Sequence, residues 1–222
     1  VYHNSMQFSS AKTWYQKALD ILRTCKPCNI LYFYRLAQAA HKLCRNDRHE
    51  GRYASAAAYC QEALEAFERY VDVVGELPLP HRKTGYFLRL EQTKLLACQN
   101  RHQQALEVCL QLREEFQAEP FQEQQHFVVE LDLLRAEILL RQGAALEAME
   151  LARNCTALTR SMRGENAKET LSCQEVLADS WAAAGAAENA RTLYREILRK
   201  LGRYYPRQTQ WYEAIRNKET AL

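Results

Sequence analysis

One short pattern recurs along this 222-residue chain and restricts what it can fold into. It is clearest in Gly51-Arg52-Tyr53-Ala54-Ser55-Ala56 followed by Cys60, Ala63 and Leu64: a turn glycine, then small and bulkier apolar residues at helical steps. Gly185, Ala187, Ala190, Tyr194, Ile197 and Leu198 repeat it. Gly143, Ala148, Ala152 and Cys155 repeat it with smaller side chains, and Ala105, Cys109 and Leu112 with Asn100 where the turn glycine stands elsewhere. Phe8, Ala11, Tyr15, Ala18 and Leu19 fit as well. The anchoring alanines Ala11, Ala56, Ala105, Ala148 and Ala190 are 45, 49, 43 and 42 residues apart. Units repeating at such a period cannot bury an apolar face alone, and stacking neighbours gives them one continuous core.

Hydrophobic residues recur at helical spacing nearly throughout, without strand-like alternation, so the chain is all-α. Breaks at Lys26-Pro27, Gly75 to Pro80, Pro120, Gly143, Arg163-Gly164, Gly185 and Gly202 to Pro206 cut it into about ten helices. The expected spans are 9–22, 31–45, 53–74, 83–98, 102–116, 121–141, 145–159, 167–183, 187–201 and 209–217. All glycines read as turn markers. Trp181, facing the Gly185 turn, is expected in the core, and the last helix, with Trp211, Tyr212 and Ile215, as a cap over the open end.

The recurrent unit resembles the second helix of a tetratricopeptide repeat. Its period exceeds the roughly 34 residues of the standard repeat, and the segment from Arg163-Gly164-Glu165-Asn166 through Leu198 looks like the longer kinesin-light-chain type. The resemblance implies an α-solenoid of helical hairpins in a right-handed superhelix, one domain over 1–222. Within it, 1–25 is the second helix of a truncated repeat, 26–77, 78–118, 119–162 and 163–202 are repeats, and 203–222 is the cap.

Thirty basic against twenty-seven acidic side chains leave a formal charge of only +3. A nucleic-acid binder is expected to be far more basic, with clustered Lys and Arg. The rival array for RNA or DNA rests on Arg199, Lys200, Arg203, Arg207, Arg216 and Lys218. Eight irregularly spaced cysteines do not form a secreted disulfide framework and place the chain inside the cell, cytoplasmic or nuclear. Even the apolar stretch 127–140 is interrupted by Glu130, Asp132, Arg135 and Glu137, so no membrane span is expected.

Cys25-Lys26-Pro27-Cys28 has the spacing of a redox dithiol or half a zinc site, and the remaining ligands and the βαβ setting are missing. A loop is the preferred reading, a metal or redox protein the alternative. Cys60, Cys109 and Cys155 fall at packing positions and read as small hydrophobes. No two histidines flank a glutamate one helical turn apart, there is no phosphate loop and no nucleophile elbow, and His49 and His102 read as solvated turn residues. The expectation is a scaffold or adaptor for protein or peptide partners, with no catalytic residue and no cofactor.

In the tetratricopeptide superfamily the first helix of each hairpin lines a concave groove that takes a partner's peptide or helix. The resemblance puts Tyr34, Gln38, His41 and Arg45 there, then Phe87, Glu91 and Lys94, then Glu130, Glu137 and Arg141, then Ser172, Glu175 and Asp179. The stripe is basic toward the N-terminal side and acidic toward the C-terminal side, with Tyr34 and Phe87 as apolar anchors. The competing reading is an ordinary solvated helix face. These stripes hold no Asn, so the carboxylate grip of chaperone-binding relatives is not carried over.

Overall fold

A computed structural model describes residues 5–25, 27, 29–119, 124–206 and 208–222, with the backbone alone at 5–11 and 124. Among them are ten α-helices and no strand: α1 (Ser5–Thr24), α2 (Leu31–His49), α3 (Tyr53–Val74), α4 (Leu79–Cys98), α5 (His102–Gln117), α6 (Gln124–Arg141), α7 (Ala145–Arg163), α8 (Lys168–Ala183), α9 (Ala187–Tyr204) and α10 (Thr209–Thr220). The start expected at 121 for the sixth helix lies outside the described residues. Helix α4 begins four residues before the expected Lys83. Pro80 does not prevent this, because the first turn of a helix has no internal partner for its N–H groups.

The turns repeat the same backbone geometry. Asn100, with φ of 61°, is the one described non-glycine residue with positive φ, matching Gly51, Gly143 and Gly185 at 73°, 81° and 81°. At each turn the N–H of the next residue reaches back over five residues: Arg52 to Asp47 O, Arg101 to Leu96 O, Ala144 to Leu139 O and Ala186 to Trp181 O, at 2.8 to 2.9 Å. This closure satisfies carbonyls that the helix end leaves open, and it requires a left-handed residue. Asn tolerates that conformation and β-branched residues do not. Asn100→Gly is therefore expected to change stability by less than about 1 kcal/mol, and Asn100→Val to cost about 1–2 kcal/mol, in urea unfolding.

Five residues past each turn residue stand Ala56, Ala105, Ala148 and Ala190, all with 0% exposure. Nine past it stand Cys60, Cys109, Ala152 and Tyr194, and twelve past it Ala63, Leu112, Cys155 and Ile197, all buried. The template read from the sequence is thus the packing face of each second helix. Seven residues before each turn stand Cys44, Thr93, Ala136 and Ala178, also buried in every hairpin.

The chain divides into two compact units between Val108 and Cys109, within α5. In the first, α2 packs against α1, α3 and α4, and α3 against α4. Its core joins Leu19, Ala37, Ala40, Leu43, Ala63, Ala66 and Leu88. Gly85 is not a turn residue, contrary to the expectation that every glycine marks one: it lies inside α4, where a Cβ would meet Phe67 Cε1 at 2.7 Å. Its missing side chain lets Phe67 of α3 lie against the α4 backbone.

In the second unit α6, α7, α8, α9 and α10 pack in succession, and α6 also touches α8. Ala148, Leu171, Leu177, Tyr194, Ile197 and Leu201 form its core, which Trp211 and Ile215 of α10 complete. Trp181 packs against that core as a partly buried side chain. No helix among the described residues is long and apolar enough to cross a membrane.

Candidate functional site

Three helices of the first unit enclose a cavity of about 620 Å³. Helix α1 gives it Tyr15, Ala18 and Leu22, α2 gives Arg35, Gln38, Ala39, His41, Lys42 and Arg45, and α4 gives Thr84 and Phe87. The α2 residues fall on one face because they are spaced by three and four along a 3.6-residue helix. Three basic side chains, Arg35, Lys42 and Arg45, line the cavity, and no Asp or Glu does. Arg35 lies 3.4 Å from Gln38 Oε1, and neither Lys42 nor Arg45 has an acidic partner among the described residues.

This crowding of like charge affects titration. Burial lowers the Lys42 pKa, and the Arg45 charge lowers it further. Burial takes the His41 imidazole down to about 4; Glu91 opposes the shift, while Arg45, Lys42 and Lys94 add to it. His41 is therefore neutral at pH 7. The cavity combines an apolar floor of Tyr15, Ala18, Leu22, Ala39 and Phe87 with cations that the chain itself does not neutralise.

Gln38, His41, Arg45 and Phe87 come together in the lining of this cavity. Tyr34 does not: it is 9% exposed, its ring lies 4.2 Å from His81 and 5.2 Å from Tyr70, and its hydroxyl shares a hydrogen bond with Thr84. Aromatic packing among α2, α3 and α4 takes up the expected anchor. Glu91 is only 3% exposed and forms an ion pair with Arg48, so it is a buried charge of the interior. Lys94 is half-buried on α4. The residues the sequence reading missed, Arg35 and Lys42, lie on α2 three residues before Gln38 and Arg45. A stripe one residue wide omits them, whereas a helix face covers 100° or more.

Asp47 was also missed. Its carboxylate accepts from Lys12 of α1 at 2.7 Å, from Arg52 at 2.5 Å and from Ser55 of α3, tying three helices together. Burial would raise its pKa, but hydrogen bonds from Arg52, Lys12 and Ser55 hold it at about 2.

In the second unit Glu130 and Glu137 are half-buried and Arg141 exposed. The acidic pair on α8, expected to face a ligand, is engaged by the chain's own α10. Trp211 Nε1 donates to Glu175 at 2.7 Å, and Lys218 Nζ reaches both Glu175 and Asp179 at 2.7 Å. Tyr194 donates to Asp179 as well. Part of the basic stripe of the nucleic-acid reading is used up in the same way, with Lys218 so engaged and Lys200 buried against Glu165 and Glu196. Arg207 lies outside the described residues, as does Cys28, whose partner Cys25 is exposed. His49 is exposed; His102, expected in solvent, is half-buried at the start of α5.

Antiparallel hairpins joined by one repeated turn define a helical-repeat fold. No protein-family model matches the sequence, and no curated protein does. In structure the chain is similar to BtubC (BKLC) from P. vanneervenii, a kinesin light chain-like protein known from a crystal structure, with a TM-score of 0.64. The likeness covers 89% of this chain and 75% of that one at 13% sequence identity, and it speaks for the fold.

Proposed function

We propose that this chain is a tetratricopeptide-like interaction scaffold of the long-repeat, kinesin-light-chain type, a binding protein and not an enzyme. Its partner is a protein segment in which an acidic residue stands beside an apolar one, held in the cavity between α1, α2 and α4. The observation that carries this reading is the set of Arg35, Lys42 and Arg45 around an apolar floor with no carboxylate in the lining. A carboxylate entering there meets the half-buried Arg45 between the exposed Arg35 and Lys42, and a neighbouring apolar side chain covers Phe87 and Leu22. The fold likeness supports a scaffold, since repeat arrays of this kind expose long surfaces for partners.

The test is a peptide array of acidic-apolar segments, probed with the parent chain and with Lys42→Glu/Arg45→Glu. Helicity by circular dichroism confirms that the variant is folded. Binding is expected to fall at least tenfold in the variant, with slower association and a weaker dependence on salt. Equal binding by the two proteins, or selection of basic peptides by the parent, would overturn the reading. A free anionic small molecule that competes fully at the same site, with no peptide captured, would assign the cavity to a metabolite instead.

A further inference from the structure

Helix α1 carries the second-helix template from Ala11 onward, yet the packing face of that template is open on it. Seven residues past the anchoring alanine, Ala63, Leu112, Cys155 and Ile197 are at most 2% exposed, whereas Ala18 is exposed. Three past it, Tyr59, Val108, Leu151 and Leu193 are half-buried or buried, whereas Trp14 is 70% exposed. With Ile21, 61% exposed, Trp14 and Ala18 form one stripe at steps of four and three residues, and Ala18 joins that stripe to the cavity lining. In the hairpins this face meets the first helix. Ala63 and Ala66 of α3 pack with Ala37, Ala40 and Leu43 of α2, and Ile197 of α9 shares a core with Leu171 and Leu177 of α8.

The adjoining edge of α2 has a counterpart on α4. Sixteen and nine residues before the turn at Asn100, α4 carries Thr84 and Glu91. Thr84 shares a hydrogen bond with Tyr34 at 3.0 Å and Glu91 an ion pair with Arg48, so these two positions fasten α4 to the first helix before it. The same offsets before Gly51 fall on Arg35 and Lys42, which line the cavity beside α1.

We infer that the partner segment of the proposed binding role, on which this rests, is an amphipathic α-helix of a second polypeptide that docks on α1 and α2 as a first helix would, one carboxylate toward Arg35 and another toward Lys42. On α2 the residues that meet Thr84 and Glu91 are Tyr34 and Arg48, fourteen residues apart. A helix therefore holds the two carboxylates about 21 Å apart, whereas an extended chain of that length spans about 46–50 Å. Between Tyr34 and Arg48, α2 presents Ala37, Ala40, Leu43 and Cys44 to the interior, three, six, nine and ten residues past Tyr34. The docked helix needs small or apolar residues at the same steps to lie on Trp14, Ala18 and Ile21. Its charge is set by the face it meets. Arg35 and Lys42 are cations, and Lys17 adds a third, its Nζ 5.1 Å from the centre of the Trp14 ring.

The probe is a fluorescent synthetic peptide, helical by circular dichroism, with glutamates fourteen residues apart, alanine three, six and ten residues after the first, and leucine nine after it. Its binding to the whole chain is followed by anisotropy. A control peptide of the same charges carries proline at the centre and is expected to bind at least tenfold more weakly. Ala18→Gln, on the exposed face of α1 and shown to be folded, is expected to weaken the helical peptide at least fivefold. Lys42→Glu is expected to weaken it at least tenfold, and lysine in place of the peptide's second glutamate to restore binding to that variant. Equal binding of the proline peptide would overturn the helical docking and leave the acidic-apolar reading of the cavity standing. So would a helical peptide that ignores Ala18→Gln, or one that fails to bind while the array still yields acidic-apolar segments. An array that also yields none removes both. Self-association of the chain that Ala18→Gln abolishes, with no peptide bound, would give the face to a second copy and overturn the inference.

Discussion

Ala190→Asp is expected to cost on the order of 4 kcal/mol of stability, enough to unfold much of the second unit at room temperature. Ala190 is 0% exposed in a core with Leu171, Leu177, Tyr194 and Ile197. A buried charge without a partner either stays ionised at a large desolvation cost or takes a proton, and both outcomes weaken the fold. Ala56→Asp, at the same register in the first unit, is expected to act alike. Asn154→Ala, on the exposed face of α7, should change stability by less than about 0.5 kcal/mol. Urea unfolding followed by circular dichroism distinguishes them. Equal midpoints for Ala190→Asp and Asn154→Ala would mean that the template alanines do not mark the helix contacts.

The second helices were legible in the sequence because one requirement repeats there. Wherever two helices approach within reach of their Cα atoms, a small residue is needed, and a left-handed residue must precede it by a fixed number of positions. Asn100 illustrates how specific this is: it reads as standing in for a glycine, and among the described residues it is the non-glycine residue that adopts positive φ. The first helices were less legible because their outer faces are covered by residues distant in the chain. Tyr34 looks like a groove residue until Tyr70 and His81, 36 and 47 positions later, pack against it. Glu175 and Asp179 look like a ligand site until Lys218 arrives from the last helix. Hydrophobic periodicity records which side of a helix is apolar, and it does not record which polar residues the fold will pair with one another.

Glu91 is the sharpest instance, and it carries the last prediction. Its carboxylate is 3% exposed and faces Arg48, whose side chain is 16% exposed, so the pair is withdrawn from water on both sides. Removing one partner of such a pair leaves a buried charge, at a cost of about 3–5 kcal/mol, whereas replacing both with apolar side chains of similar size is often close to neutral. Arg48→Met is therefore expected to lower stability by that amount, and Arg48→Met/Glu91→Leu to recover most of it. The pH dependence gives an independent check. Burial alone would raise the Glu91 pKa, but the charges of Arg48 and Lys94 and the hydrogen bond from Arg48 outweigh it and leave the pKa below its ordinary value. With a folded pKa depressed relative to the unfolded one, the contribution is fully present above the unfolded value of about 4.3 and is lost as pH falls through the folded one. The parent chain should lose this increment on acidification, and the double variant, lacking the carboxylate, should not. Urea midpoints measured from pH 7 down to pH 3 read both effects at once. A double variant as unstable as Arg48→Met would show that Glu91 contributes through its shape and not its charge, while an acid profile identical to the parent's would place the titrating group elsewhere.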